Sequence, residues 1–148
     1  MSDLRADIVA EARTWIGTPF QHQARLKGVG VDCVGLLIGV GRALELVAPD
    51  FDIRGYARSP DGKSLVGQAG QFMTRIEPHA MRAGDAIVIR WARDPQHVGL
   101  LGDYVHGGLS LIHAYGEVDG GGRVIETHYA ATFQHKFVAA FRLPGVAP

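Results

Sequence analysis

Val31-Asp32-Cys33-Val34-Gly35-Leu36-Leu37 is the stretch on which the reading of this chain turns. It holds the single cysteine of the 148 residues, at the point where a glycine-bearing segment runs into an apolar one. From Cys33 to Leu46 the apolar residues Val34, Leu36, Leu37, Ile38, Val40, Ala43, Leu44 and Leu46 fall on every side of a helical wheel, the pattern of a buried central helix. A strand through Val34–Val40 competes with it, because Gly35, Gly39 and Gly41 each cost about 1 kcal/mol inside a helix. Two observations favour the helix. Gly35 and Gly39 are one turn apart and would let another element come close to the backbone. Arg42, Ala43, Leu44 and Glu45 are also good helix residues. A helix beginning here has Asp32 as N-cap and the thiol in its first turn, where the helix dipole favours thiolate. Cysteines so placed have pKa values lowered from about 8.5 to as little as ~3.5–7.5. The same residue equally fits a small buried hydrophobe. From this stretch alone the two readings stand level.

Upstream, Leu4, Ile8, Ala12, Trp15 and Ile16 recur at helical spacing, with Asp3, Arg5, Asp7, Glu11 and Arg13 on the other face. This is an amphipathic helix with Ser2 or Asp3 as N-cap. Gly17 and Thr18-Pro19 end it. Phe20 to Val31, with Gly28 and Gly30, reads as a loop. Downstream, Val47 to Lys63 carries Pro49, Pro60, Gly55 and Gly62 and reads as an extended connection. Leu65, Ala69, Phe72 and Ile76 mark a third helix over Ser64–Ile76, capped by Ser64 and stopped by Pro78. After Gly84-Asp85 the period changes to that of strands. Ala86–Trp91, His97–Leu101, Leu109–Tyr115, Arg123–Thr127 and Phe137–Leu143 are short runs rich in β-branched and aromatic residues. Turn clusters at Arg93-Asp94-Pro95, Gly107-Gly108 and Asp119-Gly120-Gly121-Gly122 separate them. Helices first and strands second indicate a single α+β domain over residues 1–148, N-terminal helices packed on a C-terminal antiparallel β-sheet. Residues 144–148 read as a loose tail.

Composition narrows the function. With 47% hydrophobic and 20% charged residues this is an ordinary globular chain, long enough to bury roughly 70% of its unfolded surface. The net charge is zero and no basic stretch stands out, so nucleic acid is not an expected partner. One cysteine makes no internal disulfide. The first residues lack the basic start and apolar run of a signal peptide, and no apolar run reaches the ~18 residues of a membrane helix.

A thiol nucleophile needs a base, and the base needs an orienter. Seven histidines are available: His22, His79, His97, His106, His113, His128 and His135. Asp103–Gly108 reads as the turn of a hairpin. If the hairpin centres on Val105 or His106, His97 falls opposite His113 or its immediate neighbour. Two paired histidines could serve as base and orienter, although a one-residue slip would turn a side chain to the other face. His22, His79, His106 and His135 read as loop or solvated residues, while His128 ends a strand near the proposed site. A zinc site of Cys33 with His97, His113 and His128 lacks the spacing signatures of zinc proteins, and no metal or cofactor is expected. Lys27-Gly28-Val29-Gly30 does not follow the order of a P-loop.

The order of short motifs resembles a known family. Gly17-Thr18-Pro19-Phe20, Asp32-Cys33-Val34-Gly35-Leu36, Ala83-Gly84-Asp85, His97-Val98-Gly99-Leu100 and Ile112-His113-Ala114 follow one another as in NlpC-type cysteine peptidases, bacterial cell-wall hydrolases with a permuted papain-like fold. More narrowly, His22-Gln23-Ala24, Lys27-Gly28-Val29-Gly30 and Ala140-Phe141-Arg142-Leu143-Pro144 look like the branch found on phage and gene-transfer-particle tails. The resemblance implies Cys33 as nucleophile, His97 as general base and His113 as orienter. It implies hydrolysis of a stem-peptide amide bond in peptidoglycan, commonly γ-D-glutamyl–diaminopimelate, without a cofactor. It also implies partners among tail-tip or hub proteins, with assembly in the bacterial cytoplasm and action in the target cell envelope.

Two positions depart from the family. Phe20 stands where a tyrosine hydroxyl is usual near the oxyanion, so His22 or a second backbone amide would have to substitute. Val34 stands where a serine is usual. Asp32, Phe20 and His22 are therefore expected beside the substrate or the oxyanion. Two alternatives follow: a structural tail component with little activity, or a thiol acyltransferase or amidase of another substrate.

Overall fold

The computed structural model describes residues 3–53, 63–91, 94–116 and 122–147. Helix α1 (Leu4–Arg13) begins at Asp3, whose carboxylate accepts from the Arg5 N–H at 3.0 Å. Ile8, Val9 and Ala12 line its buried face. The helix stops before Trp15 and Ile16. The chain turns at Gly17, which takes the left-handed φ of +93° that only glycine adopts without strain.

The stretch expected as a loop contains a small hairpin, β1 (Arg25–Leu26) with β2 (Gly30–Val31). Two-residue strands carry too little periodicity to be seen in a sequence. Helix α2 (Cys33–Ala43) follows, so the organising stretch is helical from the cysteine onward. Val34, Leu36, Leu37, Ile38 and Val40 are all buried, the all-round apolar pattern of a central helix. The two glycines one turn apart admit close neighbours. A methyl at Gly39 would overlap the Trp15 indole, and one at Gly35 would overlap the Ala24 carbonyl oxygen. Leu44 caps the helix and Glu45 has a φ of 58°, so the helix ends before Leu46.

Helix α3 (Lys63–Phe72) already includes Ser64, the expected cap, and stops short of Ile76. Thr74–Ile76 instead forms β3, which pairs with β8 (Phe137–Arg142). Between β3 and β8 lie a 3₁₀ turn (Pro78–Ala80), β4 (Ala86–Trp91), β5 (Asp94–Asp103), β6 (Leu109–Tyr115), β7 (Arg123–His128) and a short α4 (Ala131–Gln134). Neither short helical piece was expected. Strand β5 also extends beyond His97–Leu101 and takes in Asp94-Pro95, read from sequence as turn. Residues 54–62, 92–93 and 117–121, on which parts of the expected connection and turns fall, lie outside the described residues.

The six strands form one antiparallel sheet in the order β3-β8-β4-β5-β6-β7. Gly17–Phe20 runs along its β7 edge: the Gly17 and Phe20 N–H groups donate to Val124 and Gly122, and the Val124 N–H donates to Thr18. Helices packed on an antiparallel sheet are the α+β arrangement expected from the sequence.

Alternation along the strands splits the interior in two. Val88, Val98, Leu100, Ile112, Ala114 and Phe141 pack with α1 and α2 in the main core. Ile87, Ile89, Leu101, Leu111 and Ala140 meet Tyr129 in a smaller core on the opposite face. The expected loose tail turns back: Val146 packs on the main core, and its N–H donates to Leu143 at 3.3 Å.

Candidate active site

The site forms where the start of α2 meets β5. Asp32 adopts extended backbone and caps α2, its Oδ1 accepting from the Gly35 N–H at 2.7 Å. Cys33, half-buried, is therefore the first helical residue. On the sheet side, β5 and β6 pair from Asp103↔Leu109 to Leu100↔Ile112, and the ladder stops there. The Leu101 N–H donates towards β4, to Asp85 at 2.8 Å. By alternation the Val98 N–H faces the β6 side, beyond the last ladder pair. It donates to the Cys33 sulfur. The sulfur thus takes a bond that a longer ladder would have used, beside the backbone of His97.

Extending the β5–β6 register by one pair sets Gly99 level with His113, so His97 and His113 are diagonal rather than opposite. The sequence reading had them directly opposite or one residue off. The centre at His106, one of the two that the sequence allows, sets His97 level with Tyr115, two residues beyond His113. The diagonal still brings the rings together. Gly99 has no side chain to intervene, and its missing Cβ would lie 3.2 Å from that of His113. His97 Nε2 and His113 Nδ1 are 2.6 Å apart, with the rings edge to face. His113 Nε2 lies 3.4 Å from Thr127 Oγ1 on β7. Phe133 sits against the outer side of the His113 ring. Both imidazoles are buried, with 7% of His97 and 1% of His113 exposed.

This chain of contacts orders the protons. If His113 Nδ1 accepts from His97 Nε2–H, His113 Nε2–H points to the Thr127 hydroxyl, and Nδ1 of His97 is the ring nitrogen that carries a lone pair. Burial pushes both rings away from the charged form. His97 falls to about 3, through desolvation and then the neighbouring His113, and His113 to about 4 through desolvation. The thiol is pushed up to about 11, first by burial and then by the Asp32 charge. The N–H groups of Val98, Val34 and Cys33 act the other way. Burial thus favours a neutral thiol and neutral imidazoles over an ion pair.

The remaining expected residues lie around this centre. Asp32 is buried, its two oxygens accepting from Gly35 and Gln23 N–H groups and from Arg25. His22 Nδ1 is 4.0 Å from Asp32 Oδ2. The Phe20 ring covers Gly116, where a methyl would come within 3.0 Å of it. His128 lies on the other face and stacks on Tyr104, with centroids 4.3 Å apart. Among the described residues no three His, Cys, Asp or Glu side chains are grouped to hold a metal ion.

Sequence reasoning missed Thr127 and Arg25. Thr127 shared strand parity with Ile125, which pairs with His113, so alternation could have pointed to it. Arg25 carried no motif.

No family model matches the sequence, and no curated protein matches it. Solved structures do. The NlpC/P60 domain of the peptidoglycan hydrolase SagA superposes over 94% of this chain and 98% of its own, at 24% identity and a TM-score of 0.58. The fold is that of NlpC/P60 domains. A lipoprotein-like member of the NLP/P60 family from Staphylococcus aureus covers 97% of the chain at 17% identity and a TM-score of 0.64. The present chain spans 42% of that protein. An N-acetylmuramoyl-L-alanine amidase from Bacteroides uniformis shares the NlpC/P60-like architecture at 12% identity, over 96% of this chain and 99% of its own, with a TM-score of 0.57.

Proposed function

We propose that this chain is a peptidoglycan hydrolase that cuts a stem-peptide amide bond with Cys33 as nucleophile. The observation that carries the reading is the His97–His113 pair, 2.6 Å apart, beside the Val98 amide that meets the Cys33 sulfur. The fold shared with the hydrolase and amidase structures is consistent with it.

The neutral resting pair dictates how the reaction runs. His97 Nδ1 accepts the thiol proton as the sulfur attacks the amide carbonyl, rather than before. The new imidazolium is held through Nε2–H by His113 Nδ1, a charge-assisted bond. The Cys33 N–H at the start of α2 is placed to donate to the oxyanion; one such donor is worth about 3–4 kcal/mol. His97 then returns the proton to the leaving amine as the C–N bond breaks. Water, deprotonated by His97, releases the acyl group from sulfur.

The γ-D-glutamyl–diaminopimelate bond is the substrate bond we favour. We place the protein on a phage-like tail, bound to tip or hub proteins, assembled in the cytoplasm and acting in the envelope of the target cell. The bond rests on the resemblance to NlpC-type peptidases, and the tail placement on His22-Gln23-Ala24, Lys27-Gly28-Val29-Gly30 and Ala140-Phe141-Arg142-Leu143-Pro144.

Digestion of defined muropeptides by wild type and Cys33→Ala, read by mass spectrometry, tests activity, bond and nucleophile together. The wild type is expected to release fragments and the variant none. Intact stem peptides after long incubation with wild type would sink the reading. One observation favours a second reading, a tail component with the fold but little activity: the thiol is held at about 11. That reading expects slow alkylation of Cys33 that muropeptide does not alter, whereas an active site expects muropeptide to protect the thiol.

A further inference from the structure

We propose that Arg25 is a positioning residue for the nucleophile: its guanidinium keeps the Asp32 carboxylate charge-compensated at the start of α2 and so sets the field at the Cys33 sulfur. This rests on the reading of Cys33 as nucleophile and adds a residue to which no motif points.

The geometry is that of a built clamp. Only 7% of the Arg25 side chain is exposed. All three guanidinium nitrogens are used. Nε donates to Asp52 Oδ1 at 2.9 Å, Nη1 to Asp32 Oδ1 at 2.9 Å and to the Ala24 carbonyl at 3.0 Å, and Nη2 to the Ile53 carbonyl at 3.0 Å. The clamp ties β1 and residues 52–53 to the cap of α2. The first turn of α2 is bare where Arg25 enters: a Cβ at Gly35 would overlap the Ala24 carbonyl and lie 3.0 Å from Arg25 Nη1. Glycine at this position is required first by the Ala24 carbonyl and the Val31 side chain, with Arg25 Nη1 beside them.

Asp32 is the residue next to the thiol, and its charge opposes the thiolate. A buried carboxylate that loses its counter-ion keeps an uncompensated field, stronger than in water. Among the described residues, the other charged or titratable groups facing this point include His22, Asp52 and His97. His22 lies 4.0 Å from Asp32 Oδ2 and is charged only when protonated. Asp52 is shared between Arg25 at 2.9 Å and Arg42 at 3.8 Å. His97 precedes Val98, whose N–H meets the sulfur, and burial disfavours its charged form. Arg25 is the permanent positive charge bonded to Asp32.

The test uses the rate of Cys33 alkylation by iodoacetamide from pH 6.5 to 9.5. It needs no peptide substrate, so the proposal and the peptidase reading can fail separately. Arg25→Gln is expected to slow alkylation about tenfold at pH 8, the equivalent of about one pKa unit. Asp32→Asn is expected to speed it. In the Asp32→Asn background, Arg25→Gln should slow alkylation less, because only the guanidinium's own field is lost and no carboxylate is left uncompensated. Arg25→Lys, which keeps the charge without the fork, should lie closer to wild type than Arg25→Gln does. Circular dichroism establishes that each protein is folded. If Arg25→Gln alone does not fold, Asp32→Asn decides: alkylation faster than wild type supports the proposal, and an unchanged or slower rate overturns it. An equal slowing by Arg25→Gln with and without Asp32, an unchanged rate in folded Arg25→Gln, or an Arg25→Lys as slow as Arg25→Gln overturns the proposal.

Discussion

Thr127 and the two histidines behind the thiol form a line in which each residue has a separate consequence. The Thr127 hydroxyl fixes which nitrogen of His113 faces His97. Thr127→Val keeps the shape and removes the bond, worth ~1 kcal/mol, so it should lower kcat about fivefold and leave KM unchanged. Thr127→Ser should stay near wild type. Steady-state kinetics on a muropeptide separates the two. The histidines also set how the fold responds to acid. Both are buried neutral, with pKa values lowered to about 3 and 4, whereas in the unfolded chain they titrate at the ordinary value of about 6.5. Below that value the unfolded state binds more protons, so stability falls as pH drops from about 6.5 towards 4 and is unaffected above it. The midpoint of thermal unfolding should fall through that window, and His97→Asn should flatten the fall.

At the scale of elements, α2 is held in register by two close approaches. Gly39→Ala would drive a methyl into the Trp15 ring, and overpacking of this kind costs about 1–3 kcal/mol. Urea unfolding should show the loss, and replacing Trp15 with leucine in the same chain should relieve part of it. Gly35 and Gly39, two of the three glycines that weaken the helix reading, are therefore packing residues, which the sequence suggests through their spacing alone. Elements with long periods were legible: α1, α2 and the strands from Ala86 onward appear where pattern places them, apart from their ends. Those missed were short or mixed. β1 and β2 have two residues each, and Thr74–Ile76 lies where a helical period runs on past Phe72. The candidate site was legible in its residue types, because a lone cysteine at a helix start and a histidine pair on one hairpin are separable by pattern. Its charge state was not. The thiol's desolvation depends on which strand amide meets the sulfur, and that is a property of three-dimensional packing.

Across the whole molecule, Asp85 joins the layers. It is fully buried and accepts from Arg5 of α1 at 2.9 Å, with Arg142 of β8 at 3.5 Å. Asp85→Asn leaves two guanidinium groups without their shared counter-charge. It should destabilise the fold by about 3–5 kcal/mol in urea titrations, in the range found for broken buried ion pairs. The Asp85 carboxylate bonds to Arg5, Arg142 and the Arg82 N–H, and to none of Cys33, His97 or His113, so activity per folded molecule should be unchanged. The helical layer and the sheet also touch at the Val98 amide, which gives its hydrogen to sulfur where a ladder partner would otherwise stand. That proton is a natural spectroscopic gauge. Its nitrogen–hydrogen resonance should move when the sulfur ionises, is acylated or is replaced by the oxygen of Cys33→Ser, so the state of the nucleophile can be followed through turnover without attaching a label.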